Sequence, residues 1–556
     1  MVELELFEIY NLKEMSLSTE IFLSCSILQL TFYTIATSQQ RKHGFVLLNQ
    51  QVYNIGVLIF GLALLLLINE NLSFFNCFSG NNFIINDYLG FVSKLVICFI
   101  SFLFLILITI GYEDRTSQNN FEYTILVLIS VLGLLLLCSS NDLITAYLAI
   151  ELQSVAFYVM AAFKKNSTYS IESGLKYFII GSLSSAFFLF GSALIYGCLG
   201  SLNLDDLRIF ISLSLIDSSD SFDIFINSGF DFLSLLENTN KLESSVNQQI
   251  LQNIYNICFF DNLQILESSK LNLNLVYIGF IFIFISLFIK LALAPFHLWS
   301  IDVYEGSPNT TTVFFAVVPK LGIFVLLSRL CYSSFSADNW QFYFFIIAVF
   351  SIFVGSVGGL EQRKIKSLLA YSSVSHTGYL LLSFSTNSVE GTTMMLYYLV
   401  IFMVSSLCFW SIYLFLQHKK NVYFKKRNKE IGDLVLLRES NPLIALILTI
   451  TLFSIAGIPP IVGFLAKIGI FLVAIKSSAY LISLLAILFS VLSTFYYIRV
   501  IKILYFENTL VGKLYTPIST KKSLLIAILA LSLIILCIDP TVIYYLFHMS
   551  SLLSNY

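Results

Sequence analysis

The chain has 556 residues, 57% of them hydrophobic and only 12% charged, with a formal net charge of −2 and a mean hydropathy of +0.85. A soluble domain is nearer half apolar with about a quarter of its residues charged, so a single soluble core is excluded and the bilayer is the natural solvent for the apolar excess. No basic arm or stripe of the kind that binds nucleic acid is present, so a nucleic-acid partner is not expected.

Residues 1–16 carry Glu3, Glu5, Glu8 and Glu14, which is wrong for a secretory leader or an Arg-rich transit peptide. The heavy use of Phe (53) and Tyr (30), with much Ile, Leu, Asn and Ser, resembles the output of an AT-rich organelle genome, and a chain made inside the organelle needs no import signal.

A membrane-spanning helix needs about 20 apolar residues. Runs of that kind lie at 17–38, 52–69, 89–111, 122–138, 143–163, 173–198 and 275–299. Further runs lie at 309–332, 341–360, 365–385, 391–416, 442–475, 479–507 and 523–548. About fourteen spans are therefore expected on that length rule.

Alternate loops hold Arg41-Lys42, Arg115, Lys164-Lys165, Arg363-Lys364-Lys366, the run from Lys419 to Lys429, and Lys521-Lys522. The other set carries Glu70, Asp87 and Glu390. The positive-inside rule puts the basic set on the cytoplasmic or matrix side. An even span count then puts both termini on the opposite face.

Residues 201–272 break the rhythm. They are polar, acidic-leaning and rich in Ser, Asn, Asp and Leu. They are expected to be an exposed outer-side loop or insertion, with a docking surface for a partner subunit as the alternative.

Two spans carry proline. The seventh reads FIKLALAPFHLW, with Pro295, and the twelfth reads SIAGIPPIVGFLAK, with Gly457, Pro459 and Pro460. Proline removes a backbone donor and frees a carbonyl. Inside a membrane such a break survives only where protein or water satisfies the freed groups. Transporters built from inverted repeats place broken helices at matching positions of their two halves. Spans seven and twelve are five apart, which fits two inverted five-helix repeats, spans four to eight and nine to thirteen. The alternative is a pair of ordinary proline kinks.

The chemistry rests on ionisable residues deep in these spans. A lysine at the helix centre costs about 2.5–3.5 kcal/mol on insertion scales. Several such lysines rival the roughly 5–15 kcal/mol net stability of a domain. They must be paired, hydrated or both, and a functional reason is the default. Glu151 lies nine residues past Asp142 and thirteen before Lys164, Lys290 lies twelve before Asp302, and Lys320 lies between Asn309 and Arg329. Lys467 follows the Pro459-Pro460 break and precedes Lys476 by nine residues. A static buried ion pair is the bland reading of these four. Lys176 lies near the start of its span and is able to snorkel to the surface. His297, in PFHLW, and His376, in YSSVSHTGY, are candidate relays, although a lone buried histidine is more often a satisfied structural residue.

Burial weakens the hold of an ammonium on its proton, and a nearby carboxylate restores it. Glu151 with Lys290 is the obvious switchable pair, and Lys320, His376 and Lys467 are placed to pass the proton on through waters between helices. Competing chemistry has no support. There is no Walker A motif, dinucleotide fingerprint or H-E-x-x-H, and His297 with Asp302 is not a metal site without further ligands. The nine cysteines are scattered, with no C-x-x-C pair, haem-attachment run or iron–sulfur spacing, and read as small buried hydrophobes.

The segments LAIELQSVAFYVMAAFKK, GLKYFIIGSLSSAFFLFG, KLALAPFHLWSIDVYEGSP, SLLAYSSVSHTGYLLL and AGIPPIVGFLAK run in that order over roughly residues 120–475. They resemble the chain 2 type of antiporter-like subunit in respiratory NADH–ubiquinone oxidoreductase, complex I, in its mitochondrial form. The wider family includes Mrp-type cation/proton antiporter subunits. The resemblance implies a fourteen-helix membrane-arm subunit. It assigns proton translocation to the helix-five glutamate, the lysines of helices seven and eight and the helix-twelve lysine, here Glu151, Lys290, Lys320 and Lys467. It also raises Lys176, the helix-six lysine, to a candidate. It places NADH, FMN, the iron–sulfur clusters and ubiquinone in other subunits, with no cofactor in this chain. The segment 201–272 is a departure from what the family implies.

The expectation is thus an all-α membrane protein with discontinuous helices seven and twelve. Helices one to three occupy residues 1–121, and the first repeat, carrying the insertion 201–272, occupies 122–335. The second repeat occupies 336–508 and a last helix 509–556. Expected partners are the lipid bilayer and the other membrane-arm subunits, and the expected location is the mitochondrial inner membrane, with both termini on the intermembrane-space side. The rivals are an Mrp-like antiporter working without NADH oxidation and a scaffold that only joins pumping neighbours.

Overall fold

The structure, a computed structural model, describes residues 17–40, 45–69, 77–79, 82–112, 121–164, 166–216, 269–334, 339–416, 430–435, 437–507, 515 and 518–554. Twelve helices among them are long and apolar enough to cross a membrane. The first six expected spans appear as α1 (Ser18–Gln40), α2 (Phe45–Asn69), α3 (Tyr88–Tyr112), α4 (Phe121–Ser139), α5 (Leu143–Ala161) and α6 (Thr168–Leu199). Local chemistry sets several boundaries. Asp142 caps α5 by accepting from the Ile144 amide at 3.2 Å, and Ser167 caps α6. Gly200, with φ 74°, ends α6 in the left-handed region that glycine favours.

Helix α7 (Leu204–Ile216) lies inside the segment expected to be a loop. Leu204, Leu207 and Ile211 form its buried face, packed against the eighth span. Asn141 donates to Asn203 and Asp205 and fixes its start. The alternation of apolar residues with Asp and Ser had hidden this one-sided helix. The remainder of the segment, 217–268, lies outside the described residues. A second departure from an all-helical chain is a small hairpin, β1 (Cys77–Ser79) with β2 (Ile84–Asn86), whose Ile84 bridges to Ser140.

The seventh span is broken into α8 (Ser269–Leu291) and α9 (Leu298–Gly306), as its proline implied. The eighth is also interrupted, into α10 (Asn309–Val317) and α11 (Pro319–Ser334). That third proline, in VVPKLG, was passed over in the sequence. It lies directly before Lys320. Next come α12 (Asn339–Leu360), α13 (Ile365–Phe384) and α14 (Val389–Phe415), then the short α15 (Leu437–Ser440). The twelfth span is broken into α16 (Pro442–Ala456) and α17 (Val462–Lys476), followed by α18 (Tyr480–Phe506), α19 (Thr520–Ile538) and α20 (Thr541–Ser554).

The breaks in the seventh and twelfth spans share a local form. A residue with positive φ closes the first half-helix in each, Ala292 at 57° and Gly457 at 76°, and proline follows within three residues. Helix α13 and the two halves of the twelfth span are absent from the twelve apolar crossings, the first because it is polar and the second because each half has 15 residues.

Helix α14 is the hub, with α13, α16, α17, α19 and α20 packed around it and α10 behind. Helix α6 lies along α8 and α9, and α12 lies along α13 and α18. The junction of α9 with α10 is tied to the start of α13. Lys364 pairs with Glu305, and Lys366 donates to the Ser307 carbonyl at 2.7 Å. Helix α13 thus packs against α9 and against α17, one half of each of the broken seventh and twelfth spans.

Candidate functional site: a line of ammonium groups within the bundle

Lys290 sits in the last turn of α8, just before the Ala292 break, and Glu151 sits in the middle of α5. The two lie within electrostatic reach of each other but form no ion pair. The carboxylate thus acts on the ammonium across a gap. The Lys290 ammonium instead makes a long hydrogen bond of 3.5 Å to the Tyr158 hydroxyl and lies 5.9 Å from the centre of that ring. Glu151 Oε2 accepts from Ser154 Oγ at 3.2 Å, and its Oε1 is buried without a hydrogen-bond partner.

A cavity of about 40 Å³ lies between Lys290 and Lys320 and is also lined by Gln153, Ser154, Ser300 and Ser373. A water needs roughly 10–15 Å³ of such space and two or more polar partners, and this cavity meets both conditions. Lys320, in the first turn of α11, is buried and donates to the Ser373 carbonyl at 3.4 Å. Its ammonium rests 4.8 Å from the centre of the Phe402 ring. A smaller cavity of about 20 Å³, lined by Ser372, Ser373, Phe402 and Ser406, continues from the same place.

His376 also packs on Phe402, 4.8 Å between ring centres. Its Nδ1 is 2.5 Å from the Tyr398 hydroxyl and its Nε2 is 3.2 Å from the Tyr497 hydroxyl. His376 is within electrostatic reach of both Lys320 and Lys467. Lys467, on α17, crosses the break to donate to the Ala456 carbonyl at 2.6 Å, and its ammonium lies 5.3 Å from the Tyr379 ring centre. A free carbonyl at a helix C-terminus carries partial negative charge, so the broken helix itself supplies the counter-charge.

Each of the three central lysines meets an aromatic side chain: Lys290 meets the hydroxyl end of Tyr158, while Lys320 and Lys467 lie near the ring centres of Phe402 and Tyr379. A cation over a ring face is stabilised by about 0.5–2 kcal/mol. The sequence led to carboxylates or water as partners. Tyr158, Phe402 and Tyr379 do part of that work and were missed, because aromatic residues are so common in this chain that none stands out. Tyr398 and Tyr497 were missed for the same reason.

Two expected residues lie off this line. Lys176 is 43% exposed on α6 and pairs with Asp302 at 2.7 Å and Glu172 at 2.9 Å. His297 begins α9 with its Nδ1 buried and without a hydrogen-bond partner, 6.4 Å between ring centres from Tyr371. A buried ion pair was also overlooked. Lys94 of α3 pairs with Glu20 of α1 at 2.6 Å, and nearby Arg329 pairs with Asp87. A charge inside an apolar run was the available signal for Lys94. Among the described residues no group of three or more His, Cys, Asp or Glu is placed to hold a metal ion.

A bundle of membrane-crossing helices with ammonium groups held at helix breaks has the build of an antiporter-like membrane protein. Residues 140–236 and 246–493 match the family described as NADH:quinone oxidoreductase/Mrp antiporter, TM, and the chain belongs to that family. The match passes through most of the segment set apart in the sequence, leaving only 237–245 unmatched there.

The chain is 34% identical to NADH-ubiquinone oxidoreductase chain 2 of Marchantia polymorpha, over 97% of this chain and 98% of that one. It is 32% identical to NADH-quinone oxidoreductase subunit N of Pelagibacter ubique, over 88% and 89%. Among solved structures, a chain of respiratory complex I from Thermus thermophilus with bound aureothin superposes with TM-score 0.69 at 22% identity, covering 95% of this chain and 98% of that one. A chain of the Mrp complex from a Dietzia species superposes with TM-score 0.73 at 15% identity, covering 97% of both. At these identities the two structures establish a shared fold.

Proposed function

We propose that this chain is a proton-translocating membrane-arm subunit of mitochondrial respiratory complex I, seated in the inner membrane beside other membrane-arm subunits. NADH oxidation and ubiquinone reduction, with FMN and the iron–sulfur clusters, belong to those other parts of the complex. The observation that carries the reading is the line of groups from the half-buried Glu151 and Lys290, past the cavity, to the buried Lys320, His376 and Lys467. Moving one charge through the membrane potential is worth about 2.3 kcal/mol per 100 mV, and shifting a buried ammonium toward or away from a carboxylate supplies energy of that order.

In this reading Glu151 with Lys290 is the switch, Lys320 the central relay and Lys467 the entry or exit residue. His376 carries the proton between the last two, while Lys176 and His297 bear on the path from outside. The similar breaks at Ala292 and Gly457 support two inverted repeats, helices four to eight and nine to thirteen. Both termini lie on the intermembrane-space side, by the distribution of basic loops.

The test is Lys290→Ala in the assembled complex. Loss of proton pumping per NADH oxidised is expected, and unchanged pumping overturns the role of that residue. A second reading, an Mrp-type cation/proton antiporter subunit, is favoured by the superposition on the Mrp complex. Purification from the native membrane separates the two. An associated flavin and iron–sulfur arm supports complex I, and cation exchange without such an arm supports the antiporter. A third reading, a non-pumping scaffold, follows if charge-neutral substitutions at all four of Glu151, Lys290, Lys320 and Lys467 leave pumping intact.

A further inference from the structure

Glu151, Ser154 and Tyr158 recur at spacings of three and four residues on α5, so they stand on one face of the helix. Ser154 Oγ lies 3.2 Å from Glu151 Oε2 and 3.1 Å from the Glu151 carbonyl oxygen, and one turn further along the same face the Tyr158 hydroxyl lies 3.5 Å from the Lys290 ammonium. Two hydroxyl groups thus fill the space that keeps Glu151 and Lys290 from pairing.

The hydroxyl of Tyr158 is held where it is by α6. A Cβ built at Gly181 falls 1.9 Å from that oxygen, so any larger residue there displaces it. Tyr177 and Phe178 meet the Tyr158 ring edge-on, at 5.1 and 5.6 Å between centres. The free Glu151 Oε1 is buried at the far end of the same chain of groups.

We propose that Tyr158, with Ser154, is the proton relay between Lys290 and Glu151, and that Gly181 is a positioning residue that seats it. This rests on the reading of Lys290 and Glu151 as the switch. In the transfer, the Lys290 ammonium gives one proton to the Tyr158 oxygen as the phenol gives its own to Ser154 Oγ. Ser154 in turn gives its proton to the Glu151 carboxylate. One N–H bond is lost and one carboxyl O–H is gained, each hydroxyl ends as it began, and no electron moves. The net change is neutralisation of both charges; direct contact would hold both groups in their charged forms, and the two intervening hydroxyls instead leave the transfer switchable. A tyrosine suits the place because its hydroxyl both accepts from the lysine and carries a proton of its own to pass on.

The experiment compares Tyr158→Phe, Ser154→Ala, Ser154→Thr, Gly181→Ala and Lys290→Ala in the assembled complex, reconstituted in vesicles. NADH-driven proton pumping and its solvent deuterium isotope effect are measured. Tyr158→Phe keeps the ring packing on Tyr177 and Phe178 and removes only the hydroxyl. Coupled turnover is expected to fall by about tenfold, a modest share of what a positioned proton-transfer group contributes, with an increased isotope effect. Ser154→Thr retains the hydroxyl and restores the activity that Ser154→Ala loses, and Gly181→Ala behaves like Tyr158→Phe. Full pumping and an unchanged isotope effect in assembled Tyr158→Phe, where Lys290→Ala abolishes pumping, overturns the relay and leaves the proposed function standing. Full pumping in Lys290→Ala overturns both.

Discussion

The Lys467 ammonium lies 2.6 Å from the carbonyl oxygen of Ala456, the last residue of the half-helix on the far side of the break. The contact exists because Gly457 leaves room for it. A Cβ at Gly457 falls 2.6 Å from Lys467 Cδ and 3.2 Å from its Nζ, at a φ of 76° that an L side chain adopts at a cost of roughly 1 kcal/mol. Gly457→Ala is therefore expected to displace Lys467 from Ala456 and to reduce NADH-driven pumping toward the level of Lys467→Ala. Wild-type pumping in assembled Gly457→Ala complex counts against a role for the capped position.

Phe402 touches both Lys320 and His376: its ring centre lies 4.8 Å from the Lys320 ammonium and 4.8 Å from the His376 ring centre. Phe402→Leu removes the ring face while filling much of the same space. The expected cost is about 0.5–2 kcal/mol in the stability of the buried ammonium, seen as slower coupled turnover with normal assembly. An unaltered rate assigns Phe402 to packing alone.

His376 satisfies two tyrosine hydroxyls in a buried setting. His376→Leu leaves those of Tyr398 and Tyr497 without that partner, and each buried unsatisfied group costs about 1–3 kcal/mol. A lower thermal midpoint of the assembled complex is expected, partly recovered when Tyr398→Phe is added. If the added change lowers the midpoint further, the hydroxyl account is wrong.

The Lys94–Glu20 pair is 2% and 5% exposed and lies away from the line of central lysines. Breaking a buried pair by removing one partner costs about 3–5 kcal/mol, whereas replacing both by apolar residues is often neutral. Lys94→Met alone is expected to deplete assembled complex, and Lys94→Met with Glu20→Leu to restore it with normal pumping per NADH. Restored assembly without pumping moves this pair into the proton path.

Lys176 is expected to tolerate substitution better than Lys290. Its ammonium is held by Asp302 and Glu172 at an exposed site, where water screens the ion pairs and leaves them weak. Pumping in Lys176→Met is expected to stay within about twofold of normal, as for the loss of a weak surface pair. A defect as large as that of Lys290→Ala places Lys176 on the path.

The expensive parts of the site were legible in the sequence, and the cheap parts were not. A lysine inside an apolar run carries its own cost, so Lys290, Lys320 and Lys467 declared themselves. Proline twice marked where the backbone opens, but Pro319 was overlooked because the run around it stays apolar. Tyr158, Phe402 and Tyr379 gave no signal, since a ring among so many rings is defined only by which face meets which charge. That is decided by packing between helices distant in sequence. The same holds for α7, whose one apolar face emerges only once the eighth span is beside it.

One helix has a consequence for how the protein is made. All residues of α13 except Tyr371 are buried, yet it carries Lys366, His376 and a run of serines, and it falls short of the apolarity of an independent crossing. Such a segment gains little by leaving the insertion machinery for lipid alone. It has to enter the bilayer in the company of α12 and α14, whose apolar lengths are ample. The order of synthesis then matters. Until α14 has emerged, the helix that bears His376 has no partner on that side, and a chain stalled at that point presents its most polar span to the lipid.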